Sequence, residues 1–471
     1  MWIMMRRRSL TLMLDRRIKD AYPAYNNFIE RLYGERAGRY NAKTAIVREV
    51  TFQVTNQCNL RCDYCYEHNK HGDAMTLDTS KKIVDMIIQM WKDNDPDALI
   101  SKKTFTLILD FIGGEPMLEA KLIEDTIEYF LIRCAEEDCS LVQYARCTIC
   151  TNGQNFFSDD VQHLLKRYGD IISLNVSIDG VKELHDAHRL DIAGHGSFDK
   201  AYSAFKASAP YGHRSTKMTF VPSSIKYLAD SVKFMLNNGV DFIACNCAYE
   251  PVYSIEDGKN LYEQLRVVSD YMIETEDPRL ITMLDWKLGE PFDREADGDG
   301  NNYCGGTGAM LTFAPDGKAY PCLRYCPISI GEEKSKNLLI GDFNGIYKSE
   351  HAIKVRDYLD SITLVSQSKQ ECVDCPVQSG CGWCSAWNYE STGDVNKRVT
   401  NICNVHKARV LASCRYHNKR FLALHDCLPM RINLPKDDAL KYISKSEYES
   451  LKAQETAAFE ELEFYKDLIT Y

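Results

Sequence analysis

The chain has 471 residues, 45% of them hydrophobic, and its 57 Lys and Arg against 67 Asp and Glu leave a net charge of −10. That length carries a large core and two or three domains, while the acidic balance offers no field for nucleic acid or an anionic membrane. No stretch approaches the roughly 20 apolar residues of a membrane span, and the apolar run 10–14 lacks a small-residue cleavage site after it. A cytoplasmic location without membrane or nucleic-acid partners is expected. The basic cluster of Arg6, Arg7, Arg8, Arg16 and Arg17 reads as a solvated helix face. Nineteen cysteines in a chain of this size, grouped at metal-ligand spacings, point to metal and a reducing compartment rather than to disulfides.

In chain order, residues 1–45 read as a short helical extension. Strands and helices then alternate: strand 49–55, helix 79–91, strand 105–112, helix 120–134, strand 143–151, helix 159–168 and strand 171–178. Helix 198–207, strand 217–221, helix 227–238, strand 241–247 and helix 258–274 follow. Helices between short β-branched strands predict right-handed βαβ units and a parallel sheet. Six repeats suit an open, partial (β/α)6 barrel, with its site at the carboxyl ends of the strands. Residues 278–302, with Asp293, Glu295, Asp297 and Asp299, read as a linker or ordered loop whose spacing does not match an EF-hand. The stretch from Cys304 to Cys403 is rich in Cys, Gly and Tyr, with little room for long helices. The charged tail from Lys436 reads as a solvated helix docked on the core.

The loop after the first strand holds Cys58, Cys62 and Cys65, spaced by three and then two residues. A cubane iron–sulfur cluster ordinarily takes four thiolates. Three leave one iron open to a ligand that is not protein; a zinc knuckle completed by a distant Cys or His is the alternative. The next strand ends on Gly113, Gly114, Glu115 and Pro116, where two glycines allow close approach and a carboxylate is placed to pair with an ammonium. Thr151, Asn152 and Gly153 close the third strand. Ser177, Ile178, Asp179 and Gly180 close the fourth, with Arg189 nine residues on. His185 and His188 in that loop are acid–base candidates or structural histidines.

These motifs, in this order, resemble the radical S-adenosylmethionine (radical SAM) family over roughly residues 48–410. The resemblance implies a [4Fe-4S] cluster on Cys58, Cys62 and Cys65, with Tyr64 as the aromatic beside it. It also implies S-adenosylmethionine held by Gly113, Gly114, Glu115 and Asn152, and by Ser177 and Arg189 at its ribose and carboxylate.

Downstream, Cys304, Cys322, Cys326, Cys372, Cys375, Cys381, Cys384 and Cys403 resemble the SPASM extension of that family, which houses two auxiliary [4Fe-4S] clusters. The pattern departs after Cys381, where Gly382 and Trp383 replace the family's usual three residues. The resemblance places Cys304, Cys322 and Cys384 on one auxiliary cluster, with Cys326 or an open iron completing it. Cys372, Cys375, Cys381 and Cys403 would hold the other. Two zinc sites are the rival reading, since Cys-x2-Cys is also zinc's spacing. Cys134, Cys139, Cys147, Cys150, Cys245, Cys247, Cys414 and Cys427 form no convincing ligand set.

The implied organisation is 1–45 extension, 46–285 barrel, 286–303 linker, 304–410 auxiliary-cluster domain and 411–471 helical tail. The implied activity is peptide maturation in the branch of sactipeptide, ranthipeptide and sulfatase maturases, through a 5′-deoxyadenosyl radical. Thioether or carbon–carbon crosslinking of a ribosomal precursor peptide leads, with oxidation of Cys or Ser to formylglycine as the runner-up. An electron donor such as flavodoxin or ferredoxin would be required. A non-catalytic iron–sulfur or zinc module is the reading from another class; it leaves Glu115 and Arg189 unexplained.

Overall fold

The computed structural model describes residues 46–284 and 310–469, apart from 96–97, 144, 212–213, 345–348 and 379. The extension 1–45, the linker 286–303 and Cys304 lie outside the described residues.

The barrel repeats run β1 Ile46–Thr55, α1 Leu77–Asp93, β2 Thr104–Gly113, α2 Ala120–Glu136, β3 Arg146–Thr151, α3 Asp159–Tyr168 and β4 Ile172–Val176. They continue with α4 Lys182–His188, α5 Phe198–Ala207, β5 Ser215–Phe220, α6 Leu228–Asn237, β6 Phe242–Cys247 and α7 Ile255–Glu274. Strands β1 to β6 pair in parallel and in order, as the alternating pattern predicts. The short β7 Leu280–Ile281 pairs with β6.

Beyond the repeats, β8 Met310–Phe313 pairs in parallel with β1, and β9 Lys318–Tyr320 and β10 Gly341–Asp342 extend that edge antiparallel. The ten strands therefore form one sheet that begins at β10 and ends at β7 without closing. The Cys-rich region and the barrel share this sheet. It is an α/β partial barrel with a Cys-rich C-terminal region, as the sequence implies.

Alternation fixes which side of each strand is core. Val50, Phe52 and Val54 of β1, Leu107, Leu109 and Phe111 of β2, and Ile172, Leu174 and Val176 of β4 are all buried against the outer helices. Local signals set the helix ends. Thr76 accepts from Thr79 N–H to start α1, and Asn94 ends it in the left-handed region at φ 52. Ser254 and Asp257 form a reciprocal capping box on α7.

Several elements differ from the sequence expectation. β3 begins at Arg146 rather than 143, because residues Ser140–Gln143 form a 3-10 turn and the Cys139 N–H returns to the Cys134 carbonyl at 2.8 Å. The seven-residue α4 is too short to announce itself by periodicity. The last long helices are α8 Glu350–Asp360, α9 Ser385–Thr392, α10 Cys403–Leu424 and α11 Lys445–Ile469. The expected boundary between 410 and 411 falls inside α10, a 22-residue helix that packs along α7. Arg415 and Lys419 of α10 both meet Asp270 of α7. The tail helix α11 docks on α10, burying Leu451, Ala458 and Leu462. None of the described helices is long and apolar enough to cross a membrane.

Candidate active site

The cysteine loop lies over the carboxyl end of β1 and is tied to the ends of the neighbouring strands. Gly114 N–H donates to Thr55 O at 2.9 Å and Glu115 N–H to Gln57 O at 2.8 Å. The glycines permit this close approach of the two backbones. A Cβ on Gly113 would sit 2.3 Å from Thr55 O, and one on Gly114 would sit 2.1 Å from Gln57 O. The chain's own backbone fills the space.

Glu115, 1% exposed, ties three elements together. Its carboxylate accepts from Thr151 Oγ1 at 2.6 Å, Asn152 N–H at 2.7 Å and Met117 N–H at 3.0 Å. Burial pushes this carboxyl up, against those three bonds. Asn152 in turn donates from Nδ2 to Asn59 Oδ1 at 2.7 Å and lies 3.8 Å from Cys58 Sγ.

Cys58, Cys62 and Cys65 are all unpaired and half-buried. Cys58 and Cys62 lie within electrostatic reach of each other, as do Cys62 and Cys65. Burial pushes the Cys58 thiol up to about 12. A thiol so placed ionises readily only when metal takes up the charge. Leu60 N–H points at Cys58 Sγ at 3.4 Å, and Lys70 Nζ donates to Cys65 Sγ at 2.9 Å. Three thiols in one loop, with a cation and two N–H donors aimed at their sulfurs, fit a [4Fe-4S] cluster with one iron left open.

Arg189 is buried, and its guanidinium is held by both oxygens of Asp179, at 2.7 and 3.2 Å. It also lies 5.4 Å from the Tyr64 ring centroid, while the Tyr64 hydroxyl donates to Asp179. Burial would raise Asp179; the Arg189 charge and its bonds hold it below the usual carboxylate range instead. Ser177, 9% exposed, faces Cys150, with Oγ and Sγ 3.7 Å apart. His185 is structural: Nε2 lies 3.0 Å from Ser197 Oγ, its Nδ1 accepts from Asp179 N–H, and burial lowers it to about 4. His188 pairs with Asp63 at 2.8 Å.

The downstream cysteines fall into two neighbourhoods. Cys403 lies within electrostatic reach of Cys372 and Cys375, and Cys381 of Cys375 and Cys403, with Arg398 acting on Cys372, Cys381 and Cys403. Cys326 lies close to Cys322; its thiol, 0% exposed, sits in an apolar cluster with Tyr320, Tyr325 and Ile328. Arg324, between those two cysteines, reaches Cys384 Sγ at 3.8 Å. Cys134, Cys139, Cys147, Cys245, Cys247, Cys414 and Cys427 are buried and outside both groups. Among the described residues no three His, Cys, Asp or Glu side chains close on a single ion-sized point.

Sequence reasoning missed Lys70, Asp179 as the partner of Arg189, and Arg324. Arg324 pairs with Glu250, in the loop after β6, and lies 4.6 Å from the ring centroid of Tyr66, the residue after Cys65. Only Asp179 carried a signal, inside its Ser-x-Asp-Gly motif. The others depend on which loops meet in space.

An open α/β barrel with a three-thiol loop at its carboxyl rim is the arrangement that the radical SAM resemblance implies. Residues 52–235 match the family profile of the Radical SAM superfamily, and the chain carries a radical SAM domain. It is 28% identical over 204 residues to an uncharacterized protein of Methanocaldococcus jannaschii, covering 42% of this chain and 62% of that protein. It is 26% identical over 188 residues to the antilisterial bacteriocin subtilosin biosynthesis protein AlbA of Bacillus subtilis, covering 38% of this chain and 36% of AlbA. With a cysteine-type anaerobic sulfatase-maturating enzyme of Clostridium novyi it shares 25% identity over 207 residues, 42% of this chain and 50% of that enzyme. The matches thus span less than two thirds of these relatives' own lengths. The fold is similar to that of native anSMEcpe with bound AdoMet, with a TM-score of 0.58 at 16% identity over 79% of this chain and 99% of the other.

Proposed function

We propose that the chain is a radical SAM enzyme that modifies a ribosomally made peptide, forming a thioether or carbon–carbon crosslink. The observation that carries this is the loop of Cys58, Cys62 and Cys65, anchored by Glu115 and Asn152 from the ends of β2 and β3. Those cysteines would hold the first [4Fe-4S] cluster. Tyr64, Gly113, Gly114, Glu115, Asn152, Ser177 and Arg189 would surround S-adenosylmethionine. When bound, this pair supplies a 5′-deoxyadenosyl radical by reductive cleavage of S-adenosylmethionine.

The chain's own residues position and enclose. Glu115 fixes the strand ends, Asn152 orients the loop at Cys58, and Lys70 offsets negative charge at Cys65. The buried Asp179–Arg189 pair, with the half-buried Tyr64 ring against it, ties the cysteine loop to the end of β4. Cys372, Cys375, Cys381 and Cys403 would hold one auxiliary cluster. Cys304, Cys322 and Cys384, with Cys326 as the resting fourth ligand, would hold the other.

Anaerobically reconstituted, reduced protein incubated with S-adenosylmethionine should release 5′-deoxyadenosine and carry about twelve irons in three clusters. Stoichiometric zinc without iron would overturn the reading. Oxidation of a Cys or Ser to formylglycine is the second reading, and the similarity to the Clostridium novyi enzyme supports the Cys form. A mass loss of two hydrogens with free thiols intact would favour a crosslink not made through sulfur. Loss of the thiol with a new aldehyde would favour formylglycine.

A further inference from the structure

Several strands of this barrel turn polar side chains to its inner wall. On β1, the residues between core-facing Val50, Phe52 and Val54 are Glu49, Thr51 and Gln53. Parallel register carries the level of Thr51 sideways to Thr312 on β8, Asp110 on β2, Thr148 on β3 and Ser173 on β4. A closed eightfold barrel fills this space with layers of branched aliphatic side chains. Here the same positions carry hydroxyls and carboxylates.

Two of those carboxylates sit together. Thr51 Oγ1 lies 3.4 Å from Glu49 Oε1 and 3.3 Å from Asp110 Oδ2, and Thr148 Oγ1 donates to Asp110 Oδ1 at 2.5 Å. Burial and then Asp110 push Glu49 up to about 7. The cation felt at Asp110 is Lys217, on β5, and among the described residues the two form no ion pair. Arg146 shares the wall at the barrel's amino end, but its guanidinium donates to Ala145 O.

Two further oxygens on this wall have no partner. They are Gln53 Oε1 and Thr312 Oγ1, in side chains 1% and 0% exposed. Gln53 follows Glu49 and Thr51 on one strand face, and Thr312 lies beside Thr51 in parallel register. Buried polar atoms left unpaired are rare, and each asks for the group that completes it. The wall therefore presents two carboxylates and two unpartnered oxygens, with Lys217 acting on Asp110 without an ion pair among the described residues.

We propose that this wall binds an organic cation, the ammonium or guanidinium of a lysine or arginine side chain entering the barrel. An ammonium brings three donors and a guanidinium five, and neither has an acceptor to clash with the wall. That the side chain belongs to a substrate peptide rests on the function proposed above. Asp110 lies three residues before the end of β2 and Glu49 six before the end of β1, about 10–20 Å below the rim at ~3.3 Å per residue. At that depth the pair positions a substrate group and does not touch the reacting carbon.

The test uses full-length, anaerobically purified protein and three probes: the N-acetyl methylamides of lysine, arginine and norleucine, followed by saturation-transfer NMR. The lysine or arginine probe should bind at least tenfold more tightly than norleucine, and Glu49→Gln with Asp110→Asn should reduce that preference below twofold. In unaltered protein, the lysine probe should also slow carbodiimide labelling of Glu49 at least threefold, which needs no variant to fold. Equal binding of norleucine, no binding of the cations, a preference that survives the double variant, or no protection of Glu49 would overturn the inference. So would displacement of the lysine probe by stoichiometric Mg2+, which would make the pair a metal site. Release of 5′-deoxyadenosine is measured separately. Protein that cleaves S-adenosylmethionine but ignores the cations loses only this inference, and protein that prefers the cations without cleavage loses only the radical reading.

Discussion

Glu115 accepts three hydrogen bonds, all from its own chain, and so combines a cofactor-motif position with a structural one. Glu115→Gln turns one acceptor oxygen into a donor that faces other donors. It should cost about 1–3 kcal/mol in a denaturant melt and weaken S-adenosylmethionine binding roughly tenfold or more. Unchanged stability and affinity would make the motif a plain turn. Glu49 gives a pH signature. Its folded value near 7 lies above its ordinary 4.5, so its contribution is full below about pH 4.5 and is lost as pH rises through 7. Glu49→Gln should therefore match the parent near pH 4.5 and be more stable by about 1–3 kcal/mol at pH 8; a melt difference independent of pH would refute this. In the sequence, Glu115 was legible because Gly-Gly-Glu-Pro stood at a strand end. Its partners were not, since nothing in one strand says which N–H groups of the next come within reach. Glu49 and Asp110 read as ordinary strand residues until register placed them side by side.

At the scale of elements, the close seat of the cysteine loop on β2 is the tightest constraint. Gly114→Ala would place a methyl 2.1 Å from Gln57 O, so the loop must shift. A destabilisation of about 1–3 kcal/mol is expected, as for overpacking elsewhere, together with reduced iron retention after desalting. Full iron and an unchanged melt would mean the loop has slack. The strands and outer helices were legible because period-2 and period-3.6 patterns were clean. The helix α10 was not. It buries Arg415, His406, His417, Asn418 and Arg420, a composition that reads as solvent-facing. Most of their polar atoms find partners outside the helix: Asp270 for Arg415, Val377 O for His406 Nε2, Leu284 O for His417 Nε2, Met430 O for Asn418 and Asp426 for Arg420. Polar burial of that kind leaves no periodic trace.

For the whole molecule, the Cys-rich region and the barrel are joined most extensively by β8 on β1 and by α10 on α7. A shared sheet and a long helix pair make separate melting costly for either part. Unfolding followed by calorimetry should therefore show one transition, and two resolved transitions would mean the parts are independent. The β8 pairing also sets an order of events during synthesis. β1 ends at Thr55 and its second neighbour at Phe313, roughly 260 residues apart. At about 5–20 residues per second, the ribosome leaves that flank of β1 unpaired for some 13–50 s. The cysteine loop is thus made early, beside a raw strand edge of the sort that recruits stray chains. Slow-growing cultures, or a nascent-chain chaperone, should decide the yield of usable protein more than the final stability does.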